Sequence, residues 1–170
     1  YHSTTREIAQ KILSDYKNLK KDSKIEKLTE LVGNILKEEK DAKILIYTKH
    51  PTTLRYISEK IQQFNVKTVH YLGGLEREEK SAIVKEFKEQ AQIMISTETG
   101  SEGLNFQFCH ILINYDLPWN PMAVEQRIGR LDRIGQKNDI QIYSLATKRT
   151  MEEHVVDLII NKMCCIGLVI

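Results

Sequence analysis

The sequence is poor in several things that would assign it a class outright. Its three cysteines, Cys109, Cys164 and Cys165, include no CxxC pair. An odd, unspaced set of this kind excludes a disulfide framework and gives no metal-ligand spacing, so a reducing compartment and no bound metal are expected. No apolar run is long enough to cross a bilayer, and no charged, then apolar, then small-residue leader opens the chain. Those absences predict a cytoplasmic protein with no membrane partner. Charge of one sign is also lacking: 25 Lys and Arg against 23 Asp and Glu leave a formal net charge of +2, so a polyanionic partner would have to be met by a local patch. Three nucleotide signatures are missing as well. There is no G-x-x-x-x-G-K-[ST], no acidic D-E run after a strand, and no G-x-G-x-x-G at the first βα turn.

What is present suits one compact domain, or one lobe of a larger machine, since 41% of its 170 residues are hydrophobic. The first forty residues are dense in Lys and Glu, with apolar residues at helical spacing. They read as two amphipathic helices, the second capped by Asp22 and Ser23 and carrying Leu28, Leu31, Ile35 and Leu36. Their lysines read as a solvated face. The texture then changes to short β-branched runs at 43–47, 66–72, 92–97, 110–115 and 140–145, separated by helical patterns at 51–63, 76–89 and 121 to about 130. A last helix is expected from about Met151. Short apolar strands alternating with helices predict an α/β fold in which a parallel sheet is covered on both faces. Ligands in such sheets sit at the carboxyl ends of the strands, so the loops after Tyr47, Leu72, Thr97 and Tyr115 are the places to look for chemistry.

Each of those loops carries polar or glycine-rich sequence. Lys49 and His50 follow the first strand and either reach a phosphate or face water. Gly73 and Gly74 follow the second, where a tight turn lets a phosphate approach or simply reverses the chain. The third loop reads STETGSEGLNFQ, residues 96–107, in which Gly100 and Gly103 permit sharp turns and Ser96, Thr97 and Thr99 offer hydroxyls either to phosphate oxygens or as helix caps. In the fourth, DLPWNP, the single tryptophan, Trp119, lies between two prolines. Packing anchor and base-stacking wedge both remain open for it.

The densest functional signal is VEQRIGRLDRIGQ, residues 124–136, with Arg127, Arg130 and Arg133 at a spacing of three and only Glu125 and Asp132 to balance them. If the segment is helical throughout, Gln126, Arg130 and Arg133 share one stripe and Arg127 points about 100° away. Planar guanidinium groups match phosphate oxygens bidentately and keep their charge near neutral pH.

Read in order, KILIYT, HYLGG, STETGSEGLNFQ, INYDLPWNP and EQRIGRLDRIGQ resemble motifs IV, IVa, V, Va and VI of the second RecA-like lobe of superfamily-two helicases, in the Swi/Snf type of DNA translocase. The wording of the third and fifth is closest to the bacterial RNA-polymerase-associated subgroup. Glu98 departs from the Lys or Arg that many relatives carry in motif V. The resemblance implies a helical lead-in from the inter-lobe connection over 1–40, then a RecA-like lobe with a closing helix over 41–170. It also implies Arg130 and Arg133 as arginine fingers on ATP, with Gln126, Glu102 and Gly103 on the nucleotide side and Arg127 as a buttress. Lys49, Gly73, Thr97 and Trp119 would face double-stranded DNA. ATP with Mg²⁺ is the implied cofactor, its metal and phosphate cradle supplied by the N-terminal RecA-like lobe of the same protein, and RNA polymerase or another DNA-bound protein is a further implied partner. A cytoplasmic, nucleoid-associated location follows from the resemblance. An isolated second lobe should not turn over ATP. The residues leave two other classes open: a non-catalytic nucleic-acid-binding lobe whose arginines grip phosphates, and a small-molecule enzyme on a Rossmann-like sheet, against which the missing G-x-G-x-x-G counts.

Overall fold

The computed structural model describes residues 2–18, 22–97 and 104–167. Five strands, β1 (Ile44–Thr48), β2 (Thr68–Tyr71), β3 (Ile93–Thr97), β4 (Ile111–Asn114) and β5 (Gln141–Ser144), form one sheet in the order β2-β3-β1-β4-β5. Every pairing is parallel, with Ile44 opposite both Ile93 and Ile111. β1, β3 and β4 are buried along their whole length, as a sheet covered on both faces requires.

The helices divide between the two faces. Right-handed crossovers put α3 (Pro51–Ile61), which leads away from β1 to the edge strand, on the face opposite α4 (Arg77–Glu89), which leads back. The two halves of the core show this. Ile44, Ile46, Ile93 and Ile95 pack with Leu54, Ile57 and Ile61 of α3, whereas Leu45, Tyr47 and Met94 pack with Phe87 of α4. α2 (Ser23–Glu38) joins the α3 side through Ile25, Leu28, Val32 and Ile35. At about 1.5–3 kcal/mol for each large apolar side chain, those four residues outweigh any exposed ion pair on α2. Asp22 caps that helix as expected, accepting from the Lys24 and Ile25 amides. α1 (His2–Asn18) precedes it, with Ile8, Ile12 and Leu13 exposed, and α6 (Met151–Gly167) follows β5. Among the described residues no helix is long and apolar enough to cross a membrane.

One expected element ends early. α5 spans Pro121–Ile128, not the whole arginine segment, so Gln126, Arg130 and Arg133 do not form a helical stripe. Beyond Gly129 the chain continues in tighter turns, with the Arg130 amide bonding Arg127 O and the Leu131 amide bonding Ile128 O. Tertiary contacts account for the change. Leu131 is fully buried under the α4 side of the sheet, and Arg130 O is taken by the Phe106 amide at 2.9 Å.

Candidate functional site

Sequence-local choices place the site at the carboxyl end of the sheet. Asn120 caps α5 by accepting from the Met122 amide, and Pro121 occupies its first turn, where a missing N–H costs nothing. The helix therefore starts directly beyond β4 and carries its basic residues back across the strand ends. Arg127 is the first of them and is only 3% exposed. Its Nη1 donates to Asn114 Oδ1 at 2.6 Å and to Asp116 O at 3.1 Å, and its guanidinium lies 4.8 Å from the centre of the Tyr47 ring. A charge that deeply buried needs such partners, because desolvation without them would expel it. Arg127 is a buttress between α5, β1 and β4, the role that the motif resemblance implied.

Arg130 and Arg133 are placed differently. Arg130 is half-buried and Arg133 exposed, and among the described residues neither has a carboxylate within ion-pair reach. Their turn is nevertheless well held. Arg133 Nε donates to Gly129 O at 3.3 Å, Gln107 Nε2 to Ile134 O at 2.7 Å, and Gln136 Nε2 to both Cys109 O and Leu131 O at 3.2 Å. Gly135, at φ +104°, closes the turn in a backbone region that favours glycine. Gln126 is exposed on α5, one residue before the buried arginine. Glu102 and Gly103, the other two nucleotide-side candidates, lie outside the described residues.

The residues read as a DNA face are spread along the strand ends. Lys49 and Trp119 line one cleft of about 370 Å³ together with Lys24, Asp116 and Glu152. Trp119 is 71% exposed, so it is not a packing anchor within the described residues. Thr97 is buried at the end of β3, and Gly73 is exposed beside Gly74, whose φ of +85° makes the turn after β2. The structure brings Lys49 and Trp119 together; it puts Gly73 and Thr97 at other strand ends.

A polar node beneath the cleft was not foreseen. Asp116 Oδ2 accepts from Thr48 Oγ1 at 2.6 Å and from the Lys49 amide at 3.0 Å, locking the loops after β1 and β4 together. Lys24 Nζ bridges Asp116 Oδ1 at 3.7 Å and Glu152 Oε1 at 2.7 Å, tying α2 to α6. Tyr115, whose ring lies 5.2 Å from that ammonium, has its hydroxyl held well above the usual phenol range by burial first and then by Asp22 and Asp116. Its proton therefore stays on across the neutral range. Lys24 and Glu152 are 128 positions apart, so only the fold pairs them. Among the described residues no group of three or more His, Cys, Asp or Glu is placed to hold a metal ion.

The chain is similar in sequence and in fold to known proteins. The family of helicase conserved C-terminal domains matches residues 23–135. The chain belongs to that family. The uncharacterized ATP-dependent helicase YqhH of Bacillus subtilis is 46% identical over 123 residues, 72% of this chain and 22% of that protein. The RNA polymerase-associated protein RapA of Actinobacillus pleuropneumoniae is 42% identical over 121 residues, covering 69% of this chain and 12% of RapA. This C-terminal helicase domain therefore spans less than a quarter of either relative. The C-terminal part of the Fun30 ATPase domain superposes with a TM-score of 0.73 at 25% identity, over 81% of this chain and 45% of that one. The RecA-like architecture and the kinship with the RNA-polymerase-associated helicases both agree with the motif wording.

Proposed function

We propose that this chain is the second ATPase lobe of an ATP-dependent double-stranded DNA translocase or remodeller of nucleoprotein complexes. The observation that carries the reading is the contrast within the arginine segment: Arg127 is bound internally, while Arg130 and Arg133 are held on a braced turn without carboxylate partners among the described residues. Braced, unneutralised guanidinium groups suit the charge that develops on a γ-phosphoryl group during transfer. The chain contains no phosphate cradle, so ATP and Mg²⁺ are assigned to an N-terminal RecA-like lobe, for which residues 1–40 form the connecting lead-in and 41–170 the partner lobe. Bound ATP supplies the transferable phosphoryl group; Arg130 and Arg133 contribute positive charge, and Gln126, Glu102 and Gly103 are the further residues assigned to ATP binding. Lys49, Trp119 and, at a separate strand end, Gly73 are assigned to the DNA side, whereas Thr97, only 3% exposed at the end of β3, is not placed to touch DNA directly. The likeness to RapA supports RNA polymerase as a partner class and a bacterial cytoplasmic, nucleoid-associated setting.

An arginine acting on transition-state charge is worth about 10³- to 10⁵-fold in rate. In the two-lobe protein, Arg130→Ala and Arg133→Ala should each lower DNA-stimulated kcat by at least about a hundredfold with ATP affinity nearly unchanged. Near-normal kcat in both, with weaker DNA binding, would instead assign the arginines to phosphate gripping in a non-catalytic lobe.

A further inference from the structure

Next to the Trp119 cleft lies a second cleft of about 470 Å³, on the side of α2 and the β5–α6 loop. Its walls carry Ser23, Lys24, Lys27, Ser144, Thr147 and Lys148, and no carboxylate residue lines it. The two clefts share Lys24 and Thr147, so they adjoin. One wall, 144–148, lies beyond residues 23–135, the stretch that matches the helicase family, and so is no part of the pattern on which the proposed function rests.

Three observations give this cleft a specific chemistry. The loop that presents Lys148 is held by the amide of Thr147 bonding Glu152 Oε2 at 2.9 Å and the amide of Arg149 bonding Glu153 Oε2 at 2.6 Å. Thr150 Oγ1 closes it onto Thr147 O at 2.6 Å. Arg149 sits at φ +62°, a left-handed conformation that a non-glycine residue keeps only when its surroundings enforce it. The lysines also differ in availability. Lys24 is occupied by Glu152 and forms the ridge between the clefts. Lys27 has only an exposed pair with Glu30, its side chain 64% accessible, and Lys148 has no ion pair among the described residues. Finally, Asp22, the N-cap of α2, is used by the helix amides and by the Tyr56 hydroxyl, which leaves the exposed Glu30 as the acid beside Lys27. Lys148, together with Lys27 on exchange of its exposed Glu30 pair, and the neighbouring hydroxyls on a fixed frame fit phosphodiester oxygens, which accept from both group types.

We infer that this cleft is a phosphodiester-binding subsite for duplex DNA, in which Lys27 and Lys148 each neutralise one backbone phosphate and the Ser23, Ser144 and Thr147 hydroxyls donate to the same oxygens. The inference rests on the DNA reading proposed above and extends its track from Lys49 and Trp119 around the end of α2. It also reassigns Lys27, which the sequence alone places on a solvated face.

The test is the salt dependence of binding of the full chain to a fluorescent mixed-sequence DNA duplex, followed by anisotropy. Neutralising one phosphate contributes about 0.9 to the slope of log K against log salt, so the Lys27→Ala, Lys148→Ala double variant should lose about 1.8 from that slope. Its melting temperature should not change, because both side chains are exposed, and the loss should be the same for unrelated sequences. An unchanged slope in the double variant, with binding weakened by Lys49→Ala and Trp119→Ala, overturns the subsite and leaves the DNA reading standing. Absence of duplex binding by the parent chain overturns both.

Discussion

Two neighbouring stretches of basic sequence have opposite environments. In α5, Arg127 is buried against Tyr47 and bonded to Asn114, so its charge is used to fasten helix to sheet. Three and six residues later, Arg130 and Arg133 stand on a turn whose bonds are made mostly by other groups, Gln107, Gln136 and the backbone. Residue type and spacing are the same; what differs is whether the structure has already supplied a partner. A guanidinium with its donors occupied inside the protein stabilises the fold, and one held in place without a counter-charge is available to a ligand.

The sharpest way to break that distinction is Arg127→Ala. Removing a buried, hydrogen-bonded guanidinium leaves Asn114 and Asp116 O without their donor and opens a cavity, a loss of roughly 3 kcal/mol. For a chain of this length that corresponds to a fall of about 6–12 °C in melting temperature by calorimetry or circular dichroism. A melting temperature within a degree or two of the parent would show that Arg127 is not the fastening the geometry describes.

Gln136→Ala tests the other half, the bracing of the turn. It removes the two bonds that Nε2 donates to Cys109 O and Leu131 O and the two that Oε1 accepts from the Lys137 and Asn138 amides, for a smaller loss of about 1–2 kcal/mol. Cys109 reports on it separately. Burial pushes this thiol up to about 12, so alkylation of the folded chain should be negligible at pH 8, where almost no thiolate exists. In the variant, the peptide containing Cys109 should be alkylated faster, as followed by mass spectrometry. Equal labelling rates would mean that the turn does not depend on Gln136.

The strands and most helices were legible because burial on both faces demands short apolar runs, and residues 44–48, 93–97 and 111–114 have them. The end of α5 was legible to within about two residues, at 128 against about 130, but the tight turns that follow it were not. Val124, Ile128 and Leu131 keep helical spacing through the point where the helix stops, and only the bond from the Phe106 amide to Arg130 O shows the competing demand. Arg127 as a buttress was implied by the motif resemblance, yet its partner Asn114 could not be read, being 13 positions away on another element. Lys24, Asp116 and Glu152 escaped for the same reason: each is an ordinary surface residue until the fold assembles them.

Trp119→Ala should have little effect on stability. A side chain 71% exposed contributes little packing, so the melting temperature should stay within about 0.5 kcal/mol equivalents of the parent. The consequence should be functional: in the two-lobe protein, ATPase activity is largely retained while third-strand displacement per ATP falls. An unchanged ratio would remove Trp119 from the coupling between DNA movement and hydrolysis, since closeness in sequence to the arginine turn is not itself evidence of coupling.

The central claim, that one arginine of the segment builds the lobe while two serve its ligand, is tested most directly by measuring melting temperature and saturating-ATP kcat together for Arg127→Ala, Arg130→Ala and Arg133→Ala in the two-lobe protein, with kcat taken well below every melting transition. The account predicts a crossing pattern: a lowered melting temperature with substantial kcat for Arg127→Ala, and an unchanged melting temperature with kcat reduced at least about a hundredfold for the other two. It is contradicted if kcat losses follow melting temperature across all three variants, because the arginines would then form a single structural unit.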